Sequence, residues 1–325
     1  MGAKVKASLA FFILVCSTIT SGLAAAQTYP TRPIRVIVTF PPGSVNDIIA
    51  RIIGVKLTAQ LGQQVVVDAR PGGSGVIGVE LAKAAAPDGY TLLMASYPTF
   101  ALLPALKHNL SYDPDKDFIA LSRVASSTNV LGVHPSLGVT TVADLIKLAK
   151  ARPGQLNFGS SGSGSIQHFG GEMFNMLAAV KTVHVPYKGA VLALNDLIAG
   201  QIQFIVAGLS IVMPHSKTGR LKMIATTGVK RDPLLAELPT MIETLPGFEI
   251  TTWQGMALPA KTPAVIVNRL HTEIVTALQS PDVRDQLAKQ GSSAQTESPA
   301  EFKSFIKSER ERAARIGRQT NITLD

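Results

Sequence analysis

Pro41-Pro42-Gly43-Ser44-Val45-Asn46-Asp47 sets a serine at the start of a helical pattern with a carboxylate three residues later, the spacing of a capping box. Asp47 then closes the helix end. The free N–H groups of the first turn, together with Gly43, can receive a carboxylate or other anion without a cationic side chain. Capping alone is the competing reading, since capped helix starts occur in most proteins. A second such place is Ser160-Ser161-Gly162-Ser163-Gly164-Ser165, after a strand and before a helix. Its serines and glycines offer hydroxyls and exposed amides at another helix N-terminus; the alternative is a flexible loop. His168 sits one turn inside, four residues before Glu172, where a helix-face pair accounts for it. Further pocket candidates are Ser96, Tyr97 and Thr99 at the end of a strand, and Lys188 in the turn after Val183-His184-Val185. Packing is the ordinary role of a residue like Tyr97 or the sole tryptophan, Trp253, and solvation that of a lysine.

Other chemistries fit these residues less well. Gly73-Ser74-Gly75-Val76-Ile77-Gly78 satisfies G-x-G-x-x-G between a strand and a helix, but no acidic residue ends a following strand about 20 positions on, as a dinucleotide site wants. The run from Gly159 to Ser165 never satisfies the G-x-S-x-G of a hydrolase elbow. The six histidines are dispersed and form no H-E-x-x-H, so no metal site and no cofactor is expected.

The elements that must position these loops are strands and helices in alternation. Ile34 to Phe40 reads as a strand, followed by a helix with Ile48, Ile49, Ile52, Ile53 and Leu57 on one side. Val65-Val66-Val67 and Thr91 to Ser96 are further strands, with a helix over Gly78 to Ala86 between them. Such alternation predicts a largely parallel sheet. A second series runs through a strand at 130–133, a helix at 142–151, strands at 156–158, 183–185 and 204–206, and helices at 166–179 and 191–198. Amphipathic helices at 264–278, 283–289 and 301–316 fill the end. Two crossing strands near 125–133 and 249–257 are the natural hinge.

Residues 1–26 carry Lys4 and Lys6, an apolar run from Ala7 to Val15, and small residues ending Ala24-Ala25-Ala26. These are the three parts of a secretory signal peptide, predicted to be cleaved after Ala26. The only cysteine, Cys16, lies within it, which leaves the mature chain without disulfide, thiolate ligand or thiol nucleophile. A hydrophobic content of 46% supports a sizeable core. The formal charge of +9 becomes +7 when Lys4 and Lys6 leave, which favours anionic partners in general. The basic residues are scattered, so nucleic acid is not an expected partner.

Taken together the segments resemble the Bug family, the extracytoplasmic solute receptors of tripartite tricarboxylate transporters. The likeness rests on Tyr29-Pro30, Phe40-Pro41-Pro42-Gly43 with Asp47, Arg70-Pro71-Gly72-Gly73, and Pro87-Asp88-Gly89-Tyr90. It continues through Tyr112-Asp113-Pro114, Ser160-Ser161-Gly162 with Gly164 and His168, and Val183 to Gly189. It implies an α/β type II periplasmic binding protein fold: two lobes, 27–128 plus 252–325 and 129–251, joined by two crossing strands with a ligand cleft between them. It also implies a monomeric, non-enzymatic periplasmic receptor that holds a small carboxylate through backbone amides and water. The resemblance implies contacts from the loop at Gly43 to Asn46 and from the serine-rich loop; with the residues singled out above, the expected contacts are Pro42 to Asp47, Ser96, Tyr97, Thr99, Ser160, Ser161, Ser163, Gly164, Ser165, His168, Lys188, Ala207 and Gly208. The chain departs from the family where Ser44 and then Val45 replace a second glycine, and where Ala207-Gly208 replaces an Asp-Asn pair. Loss of that carboxylate removes a partner for an ammonium group, which favours a dicarboxylate, an aromatic acid or another acid lacking an amine. The expected partners are membrane subunits of the transporter or, alternatively, a sensor kinase; a secreted serine hydrolase using Ser160, Ser161 or Ser163 with His168 is the competing reading.

Overall fold

The computed structural model describes residues 29–232, 235–250 and 252–320; the expected signal peptide lies outside them. Strand β1 (Ile34–Val38) is almost wholly buried, as a strand covered by helices on both faces must be. Helix α1 (Val45–Leu61), strand β2 (Val65–Ala69), helix α2 (Val76–Lys83) and strand β3 (Thr91–Ser96) follow. β1 lies between β2 and β3 in parallel, with Ile34 opposite Val65 and Arg35 opposite Thr91.

Strand β4 (Phe118–Ser127) passes through Thr128 into β5 (Asn129–Val133), which belongs to a second sheet. Helix α3 (Val142–Ala151), strand β6 (Asn157–Ser160), helix α4 (Ile166–Leu177), strand β7 (Val183–Pro186), helix α5 (Ala190–Ile198), strand β8 (Phe204–Gly208), helix α6 (Leu209–Lys217) and strand β9 (Lys222–Thr226) complete that lobe. The chain returns in β10 (Thr252–Pro259) and ends with α7 (Ala264–Gln279), α8 (Pro281–Lys289), β11 (Ser292–Ala294) and α9 (Pro299–Thr320). The first sheet has the order β11-β4-β10-β3-β1-β2 and the second β7-β6-β8-β5-β9. The sequence series thus becomes two lobes with two crossings, near where the hinge is expected. Each sheet is parallel where helices alternate with strands; β10 and β11 in the first and β5 in the second run against their neighbours. No helix among the described residues is long and apolar enough to cross a membrane.

α9 covers the first sheet and fixes the returning strand. Trp253 of β10 lies edge-on to Phe302 and Phe305 of α9, at 5.5 and 5.6 Å between ring centres. Two residues on, the backbone of Gly255 takes the Phe302 ring so closely that a Cβ there would stand 2.1 Å from it. Gly255→Ala is therefore expected to destabilise the protein by about 1–3 kcal/mol, the usual cost of forcing a methyl into a packed core. A thermal melt by circular dichroism checks this: the midpoint falls by several degrees.

Candidate functional site

Four strand-to-helix connections meet between the lobes, each at the carboxyl end of a parallel strand, where α/β sheets place their ligand crevices. They line a cavity of about 290 Å³. Residues Phe40 to Asn46, Gly43 excepted, come from the β1–α1 connection, and Ser161 with Ser165 to Gln167 from β6–α4. Lys188 to Leu192 come from β7–α5, and Gly208 with Ile211 from β8–α6; Pro98, Asn129 and Thr252 complete the wall.

The first connection turns sharply because Gly43 adopts φ +79°, which only glycine does at little cost. Ser44 caps α1, its Oγ accepting from the Asp47 amide at 3.3 Å. The Asp47 carboxylate reaches back to the Gly43 amide at 3.0 Å and is held by Arg51 at 2.9 and 3.0 Å. Buried and neutralised in this way, Asp47 fixes the loop and leaves the first-turn amides to face the cavity. The Asn46 side chain lines the cavity, is 6% exposed, and has no hydrogen-bond partner among the described residues.

The serine-rich connection is held from within. Ser165 caps α4 by accepting from the His168 amide at 3.3 Å, and the His168 Nδ1 accepts from the Gly164 amide at 3.2 Å. Ser161 Oγ donates to Gln167 Oε1 at 2.9 Å, so the amide nitrogen of Gln167 is the end left over. Ser160 is fully buried; its hydroxyl meets His184 Nε2 at 2.6 Å and accepts from the Gly162 amide. None of these serine hydroxyls bonds to the His168 ring, so the pairing a hydrolase reading expects is not formed. The third connection is braced by Tyr187, which donates its amide to the Ser160 carbonyl and its hydroxyl to Asp196 of α5. Gly189 then starts α5 with no side-chain cap, leaving the amides of its first turn to the cavity.

The lobes touch around this cavity. Ser74 Oγ donates to the Ser163 carbonyl across the cleft, and Cβ atoms placed on Gly164 and Gly189 would lie 3.0 and 3.2 Å from Leu103 and Pro41 of the other lobe. A second cavity of about 720 Å³ adjoins the first, sharing Phe40, Pro41, Ser161 and Lys188 and bounded by Gly72 to Val76 and Gly162 to Ser163.

Of the residues expected from sequence, Pro42, Ser44, Val45, Asn46, Ser161, Ser165, Lys188 and Gly208 line the inner cavity. Ser163 lines the outer one. Gly43, Asp47, Ser160, Gly164 and His168 shape the loops behind the wall, and Ala207 lies wholly inside the second lobe. Ser96, Tyr97 and Thr99 are core residues: Ser96 and Thr99 bond each other at 3.1 Å, and Tyr97 lies edge-on to Trp253. Sequence reading missed the start of α5, Gln167, Asn129 and Thr252. The signal for α5 was present as one more strand-to-helix change, but glycine hides a cap that serine would advertise. Among the described residues no group of three or more His, Cys, Asp or Glu could hold a metal ion.

Two α/β lobes joined by two crossings around a cavity between them define a two-lobed binding protein. The chain belongs to the tripartite tricarboxylate transporter receptor family, TctC, whose model matches residues 49–322. It is 36% identical over 307 residues to the "UPF0065 protein in tcbD-tcbE intergenic region" of Pseudomonas sp. (strain P51), covering 94% of this chain and 91% of that one. Among solved structures, R. palustris Rpa4515 with adipate superposes with a TM-score of 0.88 at 33% identity, over 91% of this chain and 99% of that one. MatC (Rpa3494) from Rhodopseudomonas palustris with bound malate gives 0.83 at 28%, over 89% and 99%.

His168 and His184 stack with ring centres 4.0 Å apart. Burial lowers the pKa of His168; burial and then the neighbouring His168 push His184 down to about 4. Both folded values lie below the unfolded value of about 6.5, so the unfolded chain binds more protons between them. The stability these rings contribute is full above about pH 6.5 and is lost as pH falls towards 4. Burial raises Glu172, 4.0 Å from His168, which works in the opposite sense at lower pH. Thermal melts between pH 7 and 4.5 are expected to show a falling midpoint, with a shallower fall in His184→Gln.

Proposed function

We propose that this chain is an exported periplasmic receptor that holds a small carboxylate between its lobes and releases it unaltered to the membrane subunits of a tripartite transporter. In this reading residues 1–26 are removed on export, 27–128 with 252–325 form one lobe, and 129–251 form the other. Each monomer holds a complete site. The observation that carries the reading is the convergence of helix starts on one cavity, where the half-positive pole of each helix and its unpaired amides suit an anion. The unpartnered Asn46 amide and the free end of Gln167 add neutral donors. The adipate and malate held by the two similar structures support the same ligand class.

The lining contains Lys188 and no carboxylate. An ammonium group buried there would lose water and gain no counter-charge, so the acid lacks an amine. Ser44, Val45, Asn46, Ser161, Ser165, Lys188 and Gly208 are the contacts proposed from the cavity wall. Thermal-shift screening of residues 27–325 against mono-, di- and tricarboxylates, followed by calorimetry, is expected to find an acid that raises the midpoint, with glutamate and aspartate inactive. Asn46→Ala should weaken binding about tenfold, the equivalent of one hydrogen bond to a charged group. Recovery of the ligand intact after prolonged incubation, read by NMR, separates binding from hydrolysis. If no carboxylate stabilises the protein, the reading fails.

A further inference from the structure

Gly208 closes the cavity from the second lobe, and Val45 closes it from the first. Their approach is unusually close: a Cβ on Gly208 would stand 2.6 Å from Val45 Cγ2. The backbone at 208, φ −59° and ψ 138°, is open to any residue, so nothing within its own lobe calls for glycine. What calls for it is the opposing valine. Val45 is β-branched and sits in the first turn of α1, where its side chain has essentially one rotamer and cannot swing aside. The same cavity is also lined by Ile211, together with Val191 and Leu192, which remain 42% and 50% exposed although they are large and apolar.

We infer that Val45 and Gly208 form a closure contact that doubles as an apolar end wall, so that the site selects carboxylates whose remainder is apolar. The inference rests on the carboxylate reading above and narrows it. The carboxylate is held by main-chain amides of the helix starts, while the rest of the acid must displace water from the side chains those same first turns carry, Val45, Val191, Leu192 and Ile211. A methylene or aromatic carbon gains by that transfer, whereas a second carboxylate or a hydroxyl placed there loses its hydration. Gly208 thus acts as a positioning residue, since it allows the lobes to come near enough for the wall to close.

Hexanoate and adipate test this, because they share a six-carbon chain and differ in the second carboxylate. Calorimetry on the wild-type protein is expected to show hexanoate binding about tenfold more tightly than adipate. Adipate binding as tightly or more tightly overturns the inference, as does preference for malate or citrate over hexanoate. Gly208→Ala is expected to weaken hexanoate at least fivefold, and Val45→Ala in the same chain is expected to restore the affinity. Unchanged hexanoate binding in Gly208→Ala, or no recovery in the double variant, also overturns it. The comparison on the wild-type protein decides the matter even if a variant folds poorly. Failure of every acid to bind the wild type counts instead against the carboxylate reading itself.

Discussion

An N–H in the first turn of a helix has no carbonyl of its own helix to meet, and four helix starts in this protein contribute to the wall of a single cavity. Much else in the molecule serves that arrangement. Parallel strands are needed because only their carboxyl ends all deliver the chain to helix starts on one side of a sheet. Two lobes are needed because the starts must face one another for their donors to reach a common ligand. The charges are disciplined accordingly: Asp47, which would repel an anion, is buried and tied to Arg51 and the Gly43 amide. The fourth start, α6, spends its first amide on the Thr128 carbonyl at the crossing between lobes, and so links the site to the hinge.

Closure depends on small residues at the seam. Backbone meets side chain at Gly164 with Leu103, Gly189 with Pro41, Gly208 with Val45, and Gly291 with Leu209. In each pair one lobe supplies the bulk and the other supplies only main chain. A side chain added on the glycine side of any of these pairs would meet the bulk opposite, so the approach of the lobes depends on these positions staying small.

The alternation of strands and helices was legible because β-branched runs such as Ile34 to Val38 are short and the helices that follow carry capping residues. Ser44 and Ser165 announced two of the helix starts by type alone. α6 was not legible: it leaves β8 without a loop and contains Pro214, which speaks against a helix interior. β11, Ser292 to Ala294, has no apolar pattern and exists only through its pairing with β4. Tyr97 and Thr99 misled for a similar reason, since their place at a strand end is that of a ligand contact, whereas packing against Trp253 and the bond to Ser96 turn them inward. His184 drew no attention in sequence, because its stacking on His168 joins a residue of strand β7 to one of helix α4.

The order of strands in the first sheet bears on how the chain folds. β10 lies between β3 and β4, yet it follows every strand of the second sheet in the chain. The second lobe is contiguous and can condense as its residues emerge, while the first cannot join β3 to β4 until residue 259 has appeared. Pairings across so long a separation are slow to form. A polypeptide with this connectivity keeps its first sheet incomplete through most of its synthesis.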